Sequence, residues 1–131
     1  MIERNSVELV FHHLGIPTTE RRPNERYSPA LGMYTSESPC QLLCVQWHRF
    51  DQTSPVPPLL RTVPYPAFKV ADLERAIAGG KLLLGPYEPI PRYCVAIIED
   101  GGIPIELVQT TLTDDELWAE AKETTLRAPE T

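Results

Sequence analysis

Apolar residues recur in short stretches along the chain, separated by polar or proline-broken connectors, and the spacing predicts mostly strands. Val7 to Ile16 (Val-Glu-Leu-Val-Phe-His-His-Leu-Gly-Ile) is dense in β-formers and stops at Pro17, predicting a first strand. Residues 18 to 30 carry Arg21, Arg22, Pro23, Asn24 and Pro29 and read as loop. Leu31 to Tyr34 predicts a short strand. Gln41 to Phe50 predicts a longer one, with Leu42, Leu43, Val45 and Trp47 interleaved with Cys44, Gln46 and His48. Asp51 to Pro58 is a connector in which Pro55, Pro57 and Pro58 favour extended backbone. In the second half, Thr62 to Val70 reads as strand. Asp72 stands where an N-cap belongs, Leu73 to Ala78 form a helix, and Gly79-Gly80 stop it. Lys81 to Leu84 is a short strand, Gly85 to Pro91 a loop with three prolines, and Arg92 to Ile98 a strand. Glu99-Asp100-Gly101-Gly102 is a tight turn leading into the strand Ile103 to Gln109. Thr113-Asp114-Asp115-Glu116 is a capping box. The helix it opens runs to about Lys122, with Leu117, Trp118 and Ala121 at helical spacing and a frayed tail from Glu123.

Composition narrows this picture. The 131 residues suit one domain with its own core. Fourteen prolines argue against a helical bundle, since an interior proline costs a helix about 3 kcal/mol. A net charge of -6 leaves no basic surplus for phosphates, so nucleic acid is not an expected partner. There is no basic run for a membrane surface, no stretch near the roughly 18 apolar residues of a spanning helix, and no signal-peptide core in Met1-Ile2-Glu3-Arg4-Asn5. Cys40, Cys44 and Cys94 lack a zinc-like spacing and read as free thiols in a reducing cytoplasm.

Three segments resemble the vicinal oxygen chelate superfamily, which includes glyoxalases, methylmalonyl-CoA epimerase, extradiol dioxygenases and bleomycin-resistance proteins. His13-Leu14-Gly15-Ile16 is similar to its first-strand motif His-x-Gly-Ile. Ala67-Phe68-Lys69-Val70-Ala71-Asp72-Leu73-Glu74 is similar to its strand-into-helix motif. Ile97-Ile98-Glu99-Asp100-Gly101-Gly102-Ile103-Pro104-Ile105-Glu106-Leu107 is similar to its final hairpin. The three occur in order and span roughly residues 7 to 110. The resemblance implies an α+β fold of two paired βαβββ-type modules whose curved sheets form an open cup. About 7–60 would be a degenerate first module lacking most of its helix, about 61–110 the second, and 113–123 a C-terminal helix, all in a single domain of 1–131.

Strand parity fits a cup in part, because side chains alternate across a strand. His13 shares a face with Phe11 and Gly15, Gln46 with Cys44 and His48, and Glu106 with Pro104 and Val108. His12 has the opposite parity and reads as a core or interface histidine; Trp47 and Phe68 read as core. A glutamate between Ile105 and Leu107 needs a cation or a shifted pKa if it faces a dry interior. By the resemblance, His13, Gln46 and Glu106 fall on the first, second and fourth metal-ligand positions. Tyr65 replaces the histidine expected at the third. A phenol must lose a proton of pKa near 10 to compete with imidazole as a ligand. His48, one pleat from Gln46, is a candidate for the missing imidazole, and Tyr65 a candidate acid or ferric ligand. Lys69 shares the parity of Tyr65, and Arg49 and Arg92 are candidates to meet an anionic substrate.

The implied activity is a metal-dependent lyase or isomerase acting on a small carbonyl or hydroxy-acid substrate. The divalent metal (Zn, Ni, Mn, Co or Fe) would sit on His13, Glu106, Gln46 or His48, with Glu106 or Tyr65 moving the proton. The alternative is a metal-free binding or resistance-type protein using the same cup. An iron(II) dioxygenase is the least supported, since it needs a second histidine. Small-molecule binding, homodimerisation and a cytoplasmic location complete the expectations.

Overall fold

The computed structural model describes residues 1–39 and 44–117. Its strands are β1 (Ile2–Arg4), β2 (Val7–Pro17), β3 (Arg26–Ser28), β4 (Met33–Pro39), β5 (Cys44–Phe50), β6 (Tyr65–Lys69), β7 (Lys81–Ile90), β8 (Tyr93–Asp100) and β9 (Ile103–Thr110). One α-helix, α1 (Leu73–Ile77), lies between β6 and β7, and a 3-10 turn spans Pro58–Arg61. The sheet order is β3-β4-β5-β2-β6-β9-β8-β7, with β1 folded back on β2.

This order repeats itself about the sheet centre. β2 runs antiparallel to β6, and each has a parallel neighbour, β5 for β2 and β9 for β6. Outside those come antiparallel hairpin partners, β4 and β3 on one side, β8 and β7 on the other. The result is the curved, open cup of two modules that the sequence implies.

The two faces of the sheet bury different sets of residues. In β8, Val95 and Ile97 face the cup, where they join Leu31, Met33, Leu60 and Tyr65. Ala96 and Ile98 face the other way and pack with Val70, Leu73, Ala76 and Leu107 beneath α1. Asp72 caps α1 by accepting a hydrogen bond from Arg75 N at 3.1 Å. Between β2 and β4 the described chain has no helix, as expected. There the guanidinium of Arg22 covers the Trp47 ring at 4.2 Å, so Trp47 is half-buried rather than core.

Several boundaries differ from the sequence reading. The region 18–30 contains β3, and residues 31–34 extend to β4, because hairpin pairing with β5 overrides weak propensity. Residues 40–43, which include the first three positions of the predicted strand 41–50, lie outside the described residues. So does the predicted helix beyond residue 117, including Trp118 and Ala121. β1 was not expected; it is turned back onto β2 through Asn5 and Ser6, both at positive φ.

The largest correction is β7. Lys81 to Leu84 and the proline loop 85–91 are one strand through Ile90. It tolerates Pro86 and Pro89 because it is the last strand of the sheet, and its pairing with β8 shifts register at three places. Gly85 makes one of these shifts possible. Its φ is +85°, and a Cβ there would stand 2.6 Å from the Val95 carbonyl oxygen. Gly85→Ala is therefore expected to destabilise the protein by more than about 2 kcal/mol, read from urea unfolding.

Candidate functional site

The sheet centre brings the candidate residues together through register. His13 pairs with Ala67 and Gly15 with Tyr65 across β2 and β6. Gln46 stands beside Gly15, just as Glu106 stands beside Ala67. His13 and Tyr65 are thus equivalent positions in the two modules, as are Gln46 and Glu106. Gly15 and Ala67 are the small residues over which the larger side chains lie. A Cβ on Gly15 would meet the Tyr65 ring at 3.0 Å, so a side chain here would lift that ring off the sheet.

Glu106, Gln46, His48 and Tyr65 line one cavity, whose remaining wall is largely apolar, with Phe50, Leu60 and Leu84 among its residues. His13 is fully buried, and its Nε2 lies 3.2 Å from Glu106 Oε2. The approach is close enough for strong Coulombic coupling but lies outside hydrogen-bond geometry, leaving Nε2 without a hydrogen-bond partner among the described residues. His48 stacks on Tyr65, ring centroids 6.4 Å apart and nearly parallel, and its Nδ1 meets Thr35 Oγ1 at 3.1 Å. Among the described residues no three His, Cys, Asp or Glu side chains gather closely enough to share one ion, so His48 does not join the His13–Glu106 pair in that way.

Strict alternation fails at one place. β2 bulges between Phe11 and His13. Phe11 is 46% exposed and does not share the cup face with His13. His12 turns beside His13 instead, and the two Nδ1 atoms are 2.8 Å apart. His12 Nε2 reaches Asp114 Oδ1 at 3.1 Å. This chain decides the tautomers. Asp114 accepts, so His12 Nε2 carries the hydrogen. Burial, reinforced by His13, lowers the His12 pKa and keeps it neutral, so its Nδ1 accepts. His13 Nδ1 must then donate, and His13 Nε2 is the atom presented to Glu106. A bare Nε2 and a carboxylate this close repel unless a proton or metal ion lies between them. Parity alone could not reveal His12, although a second histidine immediately before the motif is visible in the sequence.

Burial pushes the Glu106 carboxyl up, but a proton held between it and His13 outweighs this and brings it below the ordinary carboxylate range. Burial, then Glu106 and Tyr87, push the Tyr65 phenol well above its usual value. It is a neutral O–H donor, not a phenolate. Burial drives His48 down to about 4, only partly offset by Glu106.

Other candidates lie elsewhere. Arg49 pairs with Glu25 at 2.8 Å and lies over the Tyr34 ring. Lys69 and Arg92 border an open groove away from the cup, together with Cys94. Cys94 is a free thiol. The capping box forms as expected, Thr113 and Glu116 bonding reciprocally at 3.1 and 3.2 Å. It sets Asp114 on His12 and buries Leu117 in the cup wall. Among the described residues no helix is long and apolar enough to cross a membrane.

This topology is that of the vicinal oxygen chelate fold. A solved structure agrees: methylmalonyl-CoA epimerase from Mycobacterium tuberculosis is similar over 84% of this chain and 91% of its own, with a TM-score of 0.55 and 20% identity. No protein-family model and no curated protein sequence matches the chain.

The His48 shift predicts a pH dependence of stability. From about pH 6.5 down to about 4 the unfolded chain binds a proton that folded His48 refuses, so stability falls with pH in that window. The slope contribution is up to about 1.4 kcal/mol per pH unit. Urea midpoints between pH 7 and 4.5 should show it in the wild type and lose it in His48→Asn; equal slopes would mean that His48 is not held neutral.

Proposed function

We propose that this protein is a lyase or isomerase that moves a proton next to a carbonyl of a small oxygenated substrate. The observation that carries the reading is the buried contact of His13 with Glu106 on the floor of a cup. Glu106 is ionised at neutral pH, so it is ready to take a proton from the carbon beside a substrate carbonyl. Tyr65, held neutral on the same wall, donates a hydrogen bond to the oxygen where enolate charge develops. Apolar walls exclude water, which strengthens both interactions. Return of the proton to either carbon face gives epimerisation; expulsion of a neighbouring group gives a lyase. The likeness to an epimerase supports this general kind of chemistry.

The donor set fits a divalent ion at the same floor. His13 Nε2 is oriented by His12 and lacks a hydrogen-bond partner among the described residues, the Glu106 carboxylate faces it, and the Gln46 amide lines the cavity. These three would hold the ion. When bound it would polarise the substrate carbonyl oxygen. A neutral Tyr65 is not counted as a ligand, and His48 stacks behind it. A second reading, metal-free ligand binding, is favoured by the tyrosine at the third ligand position and by the absence, among the described residues, of a three-residue cluster. Homodimerisation in the cytoplasm remains part of the proposal; exposed Ile2 and Val10 on the β1–β2 hairpin supply apolar surface for a second copy.

Two measurements test this. After incubation with nickel, zinc, manganese, cobalt or iron(II) and gel filtration, elemental analysis should find close to one ion per chain, lost in His13→Ala. In deuterium oxide the protein should catalyse exchange of hydrogens next to the carbonyl of small ketones, and Glu106→Gln should slow it at least about 100-fold. Exchange without metal removes the ion from the mechanism. Neither exchange nor metal leaves the ligand-binding reading.

A further inference from the structure

A line of polar contacts runs from the protein surface to the floor of the cup. The Asp114 carboxylate meets His12 Nε2 at 3.1 Å, His12 Nδ1 meets His13 Nδ1 at 2.8 Å, and His13 Nε2 faces Glu106 Oε2 at 3.2 Å. The side chain of Asp114 is 73% exposed, that of His12 only 7%, and that of His13 is fully buried. Asp114 belongs to the turn from Thr113 to Leu117, which follows β9. The same turn reaches the cup a second time, because Leu117 is buried in the wall of the cavity that Glu106 also lines. The turn is held together without the Asp114 side chain. Leu117 N donates to the Thr113 carbonyl at 2.8 Å, Thr113 and Glu116 cap each other, and Leu112 anchors the approach in the cup core. A contact between an exposed carboxylate and a histidine adds little stability. What Asp114 supplies is direction, since it fixes which nitrogen of His12 holds the hydrogen.

We infer that Asp114 is a positioning residue for the ion site, and that the turn from Thr113 to Leu117 is a clasp whose seating is coupled to occupancy of the His13–Glu106 floor. The inference rests on the ion-binding reading of that floor and adds a control element to it. The two Nδ1 atoms are close enough that one hydrogen lies between them. With Asp114 in place, His12 keeps its hydrogen on Nε2, His13 supplies the shared one, and His13 Nε2 is offered to the ion. Without Asp114 a second arrangement opens. His12 Nδ1 supplies the shared hydrogen, His13 Nδ1 accepts it, and the hydrogen of His13 sits on Nε2, because a neutral imidazole has no other place for it. The atom that faces Glu106 is then blocked for an ion. Seating of the turn thus favours ion binding, and by thermodynamic reciprocity ion binding favours seating by the same factor. Leu117 adds to the coupling. Its side chain closes the wall near Glu106, and the exclusion of water there strengthens the attraction of the carboxylate for a cation.

The test needs no turnover. The full chain has three histidines, so nitrogen-labelled rings can be read one by one in a long-range proton–nitrogen NMR spectrum, with zinc as the probe ion. In the wild type His13 Nδ1 should carry hydrogen with and without zinc, and zinc should sit on Nε2. Asp114→Ala should shift hydrogen from His13 Nδ1 to Nε2 in the ion-free protein. It should weaken zinc binding about 10- to 100-fold by calorimetry while leaving the urea midpoint unchanged. Zinc should also slow exchange of the Leu117 amide hydrogen about threefold or more in the wild type, and less in the variant. Unmoved ring hydrogens with unchanged zinc affinity in Asp114→Ala overturn the inference. So does a loss of affinity that comes only with a lowered urea midpoint, which would make Asp114 merely structural. A wild type that takes up no zinc, but whose His13 hydrogen still moves in Asp114→Ala, sinks the ion-binding reading and leaves Asp114 as the residue that orients His13.

Discussion

The antiparallel pairing of β2 with β6 governs everything near the site. It sets His13 against Ala67 and Gly15 against Tyr65, and the parallel neighbours then place Glu106 beside Ala67 and Gln46 beside Gly15. Four chemically useful side chains are delivered by strands distant in sequence, and two small residues make room for them. A one-residue slip would turn each of these side chains to the opposite face. The register is protected because both faces of the second module are committed, one to the cup and one to α1.

A single extra residue refines what the pairing establishes. The bulge in β2 brings His12 alongside His13, and the start of the C-terminal segment brings Asp114 to His12. His13 thereby presents Nε2, not Nδ1, to Glu106. Outer hydrogen bonds commonly fix which imidazole nitrogen is offered to a cation. The capping box at Thr113 thus serves more than its helix, since the turn it fixes also seats Leu117 in the cup wall. The cup holds opposed environments: burial keeps the phenols and the His48 imidazole on its walls neutral, whereas at Glu106 on its floor the contact with His13 outweighs burial.

Much of this was legible in the chain. The strand-helix-strand-strand-strand rhythm of the second half, the Asp72 cap and the Gly101-Gly102 turn are local features. They formed because each depends on residues a few positions apart. The motifs around His13, Ala67 and Glu106 pointed to the fold. β7 was misread because proline is judged by its missing donor, and the sequence does not say that this strand has a free edge. Arg26, Glu37 and Tyr93 were passed over. Nothing nearby in the sequence marks Arg26 and Glu37 as a partly buried pair, or Tyr93 as lining the cup.

By itself, then, the sequence determined the alternation of elements and the candidate polar residues at His13, Gln46, His48, Tyr65 and Glu106. The tertiary structure decided which of them meet. It put His13 against Glu106, left His48 stacked on Tyr65, and set His12, which parity reads as a core or interface histidine, at the back of His13. The physical reason is that parity follows from the geometry of one strand, whereas a bulge, a register and a free edge belong to the pairing of two.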